Sequence, residues 1–252
     1  MSSGRLARSR HAISRTRQAE GPIRSFGVDA RPGGLVPPQP AGWAHLVSVR
    51  TGIAELRCER IRAFVTPGVA YWIPNGTTYA LDLRTHTRLR ILYADDCVYP
   101  ARAFGAVAMR PLLRELLERA MASGFLDARN PGHDHVLSVI GDELAGLSPA
   151  SAANVLVFPR DPALCAAAER LVANPDHGRS VAGIAESAGM SLRTFERRFA
   201  NETGLAPSEW LRRARLLAAL VMLSSGASVT DAGLACGYTS ISAFISAFRR
   251  VH

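Results

Sequence analysis

The chain has 252 residues, of which 48% are hydrophobic and 20% charged, with a formal net charge of +9. This is enough for one large domain or two ordinary ones and excludes wholesale disorder. No run approaches the roughly 18 uninterrupted apolar residues of a membrane span.

All 30 basic residues are Arg. Arg is the better fork for phosphate and guanine, and it is also what a GC-rich coding bias leaves behind. The distribution of charge is more telling than its total. Residues 1–35 carry seven Arg against two acids, residues 36–178 fourteen of each, and residues 179–252 nine Arg against five acids. Basic ends around a neutral middle point to a polyanionic partner.

Residues 1–41 show no apolar period and end in Pro and Gly, which predicts a disordered basic tail and linker. They contain no apolar h-region of a secretory signal. Residues 42–104 read as a small β domain. Its apolar or alternating runs are His45–Val49, Ala54–Cys58, Ala63–Thr66, Val69–Ile73, Tyr79–Leu83 and Leu89–Tyr93, separated by turn signals such as Pro67-Gly68 and Asn75-Gly76. Residues 105–160 change to helical period: Met109, Leu112, Leu113, Leu116 and Leu117 form one stripe, and Val136, Val139, Ile140, Leu144 and Leu147 a second. They read as a helical connector or dimer interface.

Residues 161–252 are predicted all-α and hold an internal repeat. SVAGIAESAG begins at Ser180 and SVTDAGLACG at Ser228, each followed by a helix with paired phenylalanines, Phe195/Phe199 and Phe244/Phe248. Each copy has the grammar of a helix-turn-helix: a Ser N-cap, a short helix, a glycine at Gly189 or Gly237, and a second cap at Ser191 or Ser240. The Phe pair packs inward and leaves the opposite face for a major groove. In the first copy that face holds Arg193, Thr194, Glu196 and Arg197, with Arg198 nearer the edge and suited to a phosphate. In the second it holds Ile241, Ser242, Ile245 and Ser246, with Arg249 and Arg250 for the DNA backbone. A long helix from Pro207 to about Leu223 is the spacer between the copies.

These residues resemble the AraC/XylS-type transcription regulators, with landmarks at Ala185, Gly189, Ser191, Phe195, Arg197, Phe199, Gly204, Pro207, Arg215, Gly226, Gly237, Tyr238, Ser240, Phe244 and Phe248. VTPGVAYWIPNGTTYAL, from Val65, is more loosely similar to the turn at the mouth of that family's cupin-like sensor barrel. The resemblance implies a multidomain protein: a small all-β cupin-like barrel, then an all-α double helix-turn-helix domain. It implies a double-stranded DNA operator as partner, with RNA polymerase, a small-molecule effector and a second copy of the chain as further partners. It also implies a bacterial, cytoplasmic, nucleoid-associated protein without enzymatic activity. The chain departs from the family at Gly233, where Ala is usual, and at His252, where the family continues with a Phe-Gly turn, a Pro and a closing helix. A truncated regulator unable to bind DNA alone therefore stays open.

His45, Tyr71, Trp72 and Tyr79 are the candidate ligand-binding residues, since they fall on predicted strands. Arg62 and Arg84 are candidate anion binders. The alternative to a regulator is a cupin-like metalloenzyme with a helical appendage. Only His45 and His86 lie in the β segment, and His133 and His135 read as polar residues at a helix start, so no metal or cofactor is expected. Cys58, Cys97, Cys165 and Cys236 lack CxxC spacing and read as reduced thiols.

Overall fold

The computed structural model describes residues 22–251 except 38, 40, 97, 98, 100, 101, 124, 125, 127, 128 and 174–180. Most of the expected tail, together with Cys97 and Ser180, lies outside the described residues. These divide into two units: the described residues up to Cys58 with Val65–Ala152, and Glu59–Phe64 with those from Ala153 onward.

The first unit is β-rich. β1 (Ile23–Ala30), β8 (Thr87–Asp95), β3 (Trp43–Thr51), β6 (Val69–Ile73) and β9 (Gly105–Ala108) form one antiparallel sheet in the order β1-β8-β3-β6-β9. β2 (Gly33–Leu35) and β4 (Ala54–Cys58) pair antiparallel with the two sides of β7 (Ala80–Leu83). β3 is buried on both faces, as its run of apolar residues requires, whereas β8 alternates buried Leu89 and Ile91 with Arg88 and Arg90. The larger sheet is open, ending at β1 on one side and β9 on the other. The expected small cupin-like barrel is therefore not confirmed: among the described residues the sheets do not close.

α1 (Pro111–Ser123) and α2 (Pro131–Ala145) belong to this first unit. Leu113, Leu117 and Ala120 of α1, with Leu137, Ile140 and Leu144 of α2, share one core with Leu46, Ala70, Trp72, Leu92 and Ala94 of the sheet. The residues expected as a helical connector or dimer interface over 105–160 thus include helices that pack on a sheet face through part of their apolar stripes, while Leu112 and Val139 of those stripes are exposed. Asn130 caps α2 by accepting from the Gly132 amide, so His133 and His135 do fall in its first turns. The Arg102 guanidinium closes the other end by donating to the carbonyls of Leu144, Ala145 and Leu147.

The disordered reading of residues 1–41 is also corrected for its described part. β1 is an eight-residue strand paired along its whole length with β8. Arg24, Ser25 and Gly27 interrupt its apolar pattern, so periodicity hides it. Its partners reveal it: Asp29 lies opposite Arg88 and accepts from both Arg88 and Arg90 at 3.0 and 2.9 Å.

Among the described residues the second unit comprises β5 (Ile61–Val65) up to Phe64, β10 (Val155–Val157) and a set of α-helices. The helices are α3 (Pro162–Ala173), α4 (Val181–Ser187), α5 (Leu192–Thr203), α6 (Pro207–Ser224), α7 (Val229–Ala235) and α8 (Ile241–Val251). β10 pairs antiparallel with β5, Val155 opposite Ala63. Trp210 of α6 is fully buried at the centre, edge-on to Phe158 at 5.3 Å and Phe199 at 5.6 Å, and its indole donates to the Val157 carbonyl. The domain thus takes in Glu59–Phe64 as well as residues beyond 153, a departure from the expected boundary at 161.

Candidate nucleic-acid interface

α4 and α5 form the first expected helix-turn-helix. Gly189, at φ +67°, occupies the left-handed conformation that ends α4 at little cost to glycine. Ser191 caps α5 by accepting from the Thr194 amide at 3.3 Å, and its hydroxyl lies 3.0 Å from that of Thr194. Phe195 and Phe199, four residues apart, face the core with their rings 5.4 Å apart. Helical spacing then turns Arg193, Glu196 and Arg197 outward, where all three are exposed. Among the described residues none of the three has a hydrogen-bond or ion-pair partner. Thr194 is half-buried and occupied with the cap.

Arg198, expected to suit a phosphate, is half-buried. Its guanidinium is 2.5 Å from the Asp161 carboxylate. Asp161 also caps α3, accepting from the amides of Ala163 and Leu164 at 3.0 and 3.1 Å. The Leu164 amide, and after it the Arg198 guanidinium, hold the Asp161 carboxyl below its ordinary range. One turn further along α5, the Glu202 carboxylate accepts from the amides of Arg160 and Asp161, and the Glu202 carbonyl accepts from Arg60 at 2.9 Å. Two side chains of α5 are therefore fixed to the start of α3, which sets the orientation of the exposed arginines. Asp161 and Glu202 were missed as sequence candidates. The Asp161-Pro162 pair was the available signal, since an N-cap followed by Pro at N1 marks a helix start.

α7 and α8 repeat the arrangement with differences. The Ser228 hydroxyl accepts from the Asp231 amide at 3.0 Å, capping α7, and donates to the Asp231 carboxylate at 2.6 Å. The Phe pair sits 49 residues after that of the first copy, whereas the caps and glycines of the first helices are 48 apart, so the second turn is one residue longer. Arg193, Glu196 and Arg197 thus correspond to Ser242, Ile245 and Ser246. Ser242, Ser246 and Arg249 are exposed; Ile241 and Ile245 are half-buried. Ser240 caps α8 weakly, 3.4 Å from the Ala243 amide. The side chain of Arg250 lies outside the described residues. Phe244 is buried and Phe248 only half-buried, so this core is less covered than the first, where both rings are buried. A Cβ at Gly233 would lie 3.2 Å from the Phe244 ring, so the glycine that departs from the family lets α7 and α8 approach closely.

α6, with Pro207 at its first position, has 18 residues, about 27 Å of rigid rise between the copies. Arg212 is paired with Glu209 at 2.7 Å.

The candidate ligand residues of the first unit separate by strand alternation. His45, Tyr71 and Tyr79 are buried, and His45 Nδ1 lies 3.0 Å from the Tyr79 hydroxyl. Trp72 does not join them. It follows Tyr71 in β6, points to the opposite face, and packs with α1 and α2 in the core. The candidate anion binders are both occupied: Arg62 pairs with Glu169 and stacks on Phe158, and Arg84 pairs with Asp82 and Glu55. Cys58, Cys165 and Cys236 are not in disulfides. Among the described residues no three His, Cys, Asp or Glu side chains converge as metal ligands, and no helix is long and apolar enough to cross a membrane.

Two capped helix pairs, each with an inward-facing Phe pair and an outward face, define a helix-turn-helix protein. Residues 184–252 match the family model of the helix-turn-helix domain. The HTH-type transcriptional regulator NimR of Escherichia coli K12 is 26% identical over 209 residues, covering 82% of this chain and 75% of that protein. The HTH-type transcriptional activator RhaS of Escherichia coli SE11 is 43% identical over 68 residues, 27% of this chain and 24% of that one. A transcriptional regulator of Chromobacterium violaceum with an AraC-type DNA-binding domain is 33% identical over 35% of this chain and 80% of that structure, with a TM-score of 0.34. Residues 184–252 thus match a helix-turn-helix domain, and the chain is similar to HTH-type transcriptional regulators, with a β-rich unit preceding that domain.

Proposed function

We propose that the protein binds operator DNA through α5 and α8 and that its β-rich unit makes this binding responsive to a small molecule. The carrying observation is the state of Arg193, Glu196 and Arg197: exposed, without partners among the described residues, and on a helix anchored at Arg198 and Glu202. In a major groove the two arginines fork onto guanine O6 and N7, and Glu196 accepts from cytosine N4. Ser242 and Ser246 supply weaker polar readout and Ile241 a thymine-methyl contact, while Arg249 and Arg250 hold phosphates. Ser191, Thr194 and Ser240 serve the site by fixing the starts of the reading helices. Sequence discrimination is therefore concentrated in the first copy. A second copy of the chain and RNA polymerase are the further partners of this reading, which places the protein on the bacterial nucleoid.

A duplex from the gene's own upstream region tests the reading by gel retardation. Retardation at protein concentrations that leave an unrelated duplex free is expected. Equal retardation of both duplexes contradicts sequence-specific binding.

A further inference from the structure

The sheet β1-β8-β3-β6-β9 is buried on both faces. Leu46, Trp72 and Leu92 meet α1 and α2. On the other face strand alternation places His45 and Val47 of β3, Tyr71 and Ile73 of β6, and Ile91 and Tyr93 of β8. His45 lies opposite Tyr93 and Ile73, so Tyr71 is its diagonal neighbour. The His45 ring stands edge-on to Tyr93 at 4.6 Å and to Tyr79 at 5.5 Å. Phe104 lies 6.2 Å from the Tyr71 ring.

Two polar atoms of this face are buried without a hydrogen-bond partner: Nε2 of His45, 4% exposed, and the hydroxyl of Tyr71, fully buried. Native structures rarely leave such groups unpaired, and two on neighbouring positions of one face mark a missing oxygen or nitrogen. The charged groups of the face sit at its rim. Arg24 of β1, opposite Tyr93, is exposed and stacked on Trp43 at 4.5 Å, and Asp95 ends β8. Burial keeps the imidazole neutral at physiological pH, so His45 offers a hydrogen bond without a charge. A buried carboxylate or ammonium would find no counter-charge beside these two atoms, and desolvating it there is prohibitive. An uncharged oxygen meets no such penalty, because a hydroxyl both donates and accepts and so suits either tautomer of His45.

We propose that this face takes a small, uncharged, mostly apolar molecule whose hydroxyl or carbonyl oxygen pairs with His45 Nε2 and the Tyr71 hydroxyl. The inference rests on the reading of the β-rich unit as the sensor of the regulator and names the class of molecule sensed.

The test uses the full chain and three probes of one shape: benzyl alcohol, benzoate and benzylammonium. Thermal unfolding followed against probe concentration is expected to show a rise in Tm with benzyl alcohol and none with the two ions. Tyr71→Phe should weaken the benzyl alcohol effect about tenfold, the loss of one hydrogen bond. The same variant should leave the probe-free Tm unchanged or raised, since it removes an unpaired buried hydroxyl. A rise with benzoate equal to that with benzyl alcohol, no rise with any probe, or a lowered probe-free Tm in Tyr71→Phe each overturns the inference. Gel retardation on the same preparations separates the two readings. Specific DNA binding without a probe response overturns the ligand class alone, and loss of DNA preference overturns the regulator.

Discussion

Arg197 and Arg198 are adjacent in the chain, yet their guanidinium groups are in opposite circumstances. Arg197 is exposed and without a partner among the described residues, whereas Arg198 is engaged by Asp161. Their residue type alone did not separate them; the difference comes from the 100° turn between consecutive helical positions and from an acid 37 residues earlier. His45 shows how much burial does to a single group. Desolvation pushes its pKa down to about 4, and Tyr79 and Tyr93, the titratable groups that face it, are themselves kept neutral because burial raises their pKa values. The unfolded chain therefore binds a proton at His45 that the folded chain does not between about pH 6.5 and about pH 4. Its contribution to stability is complete above about pH 6.5 and is lost as the pH falls through that window. Urea unfolding at pH 7 and pH 5 should show a loss, on the order of 1–2 kcal/mol, that His45→Phe removes. An identical pH dependence in the variant would contradict the assignment.

At the scale of elements, the reading helices were largely legible. Ser caps, paired Phe at i and i+4, and glycines after the short helices are local signals, and α5, α6, α7 and α8 follow them. What the sequence concealed is non-local. β1 is stabilised by its neighbour β8, not by its own pattern, and the stripes of α1 and α2 do not say which sheet face they cover. Tyr71 and Trp72 were both plausible ligand residues until register assigned them to opposite faces. The anchoring of α5 is the element-scale feature with the clearest consequence. The Arg198–Asp161 pair is partly exposed, so it contributes modestly to stability. Arg198→Ala should lower the urea midpoint of unfolding slightly, whereas Arg193→Ala, at an exposed position without a partner among the described residues, should leave it unchanged. Equal stability losses would contradict the division of α5 into an anchoring edge and a reading face.

At the scale of the whole molecule, the chain passes between its two units at residues 58–59, 64–65 and 152–153. The reading unit therefore includes a strand from early in the chain, with Arg60 on the Glu202 carbonyl and Arg62 on Phe158. The charge distribution conforms to this division: in the basic C-terminal segment Arg193 and Arg197 have no partner among the described residues, while many arginines of the neutral middle are held in pairs such as Arg90–Glu118, Arg84–Asp82 and Arg110–Glu143. The central claim is that the free arginines of α5 read DNA sequence. Fluorescence anisotropy with a labelled duplex from the gene's own upstream region, and with an unrelated duplex, tests it directly in the full chain and in Arg197→Ala. The account predicts that Arg197→Ala loses about 1–3 kcal/mol of affinity for the upstream duplex and discriminates less between the two. Unchanged affinity and unchanged discrimination in the folded variant would contradict it.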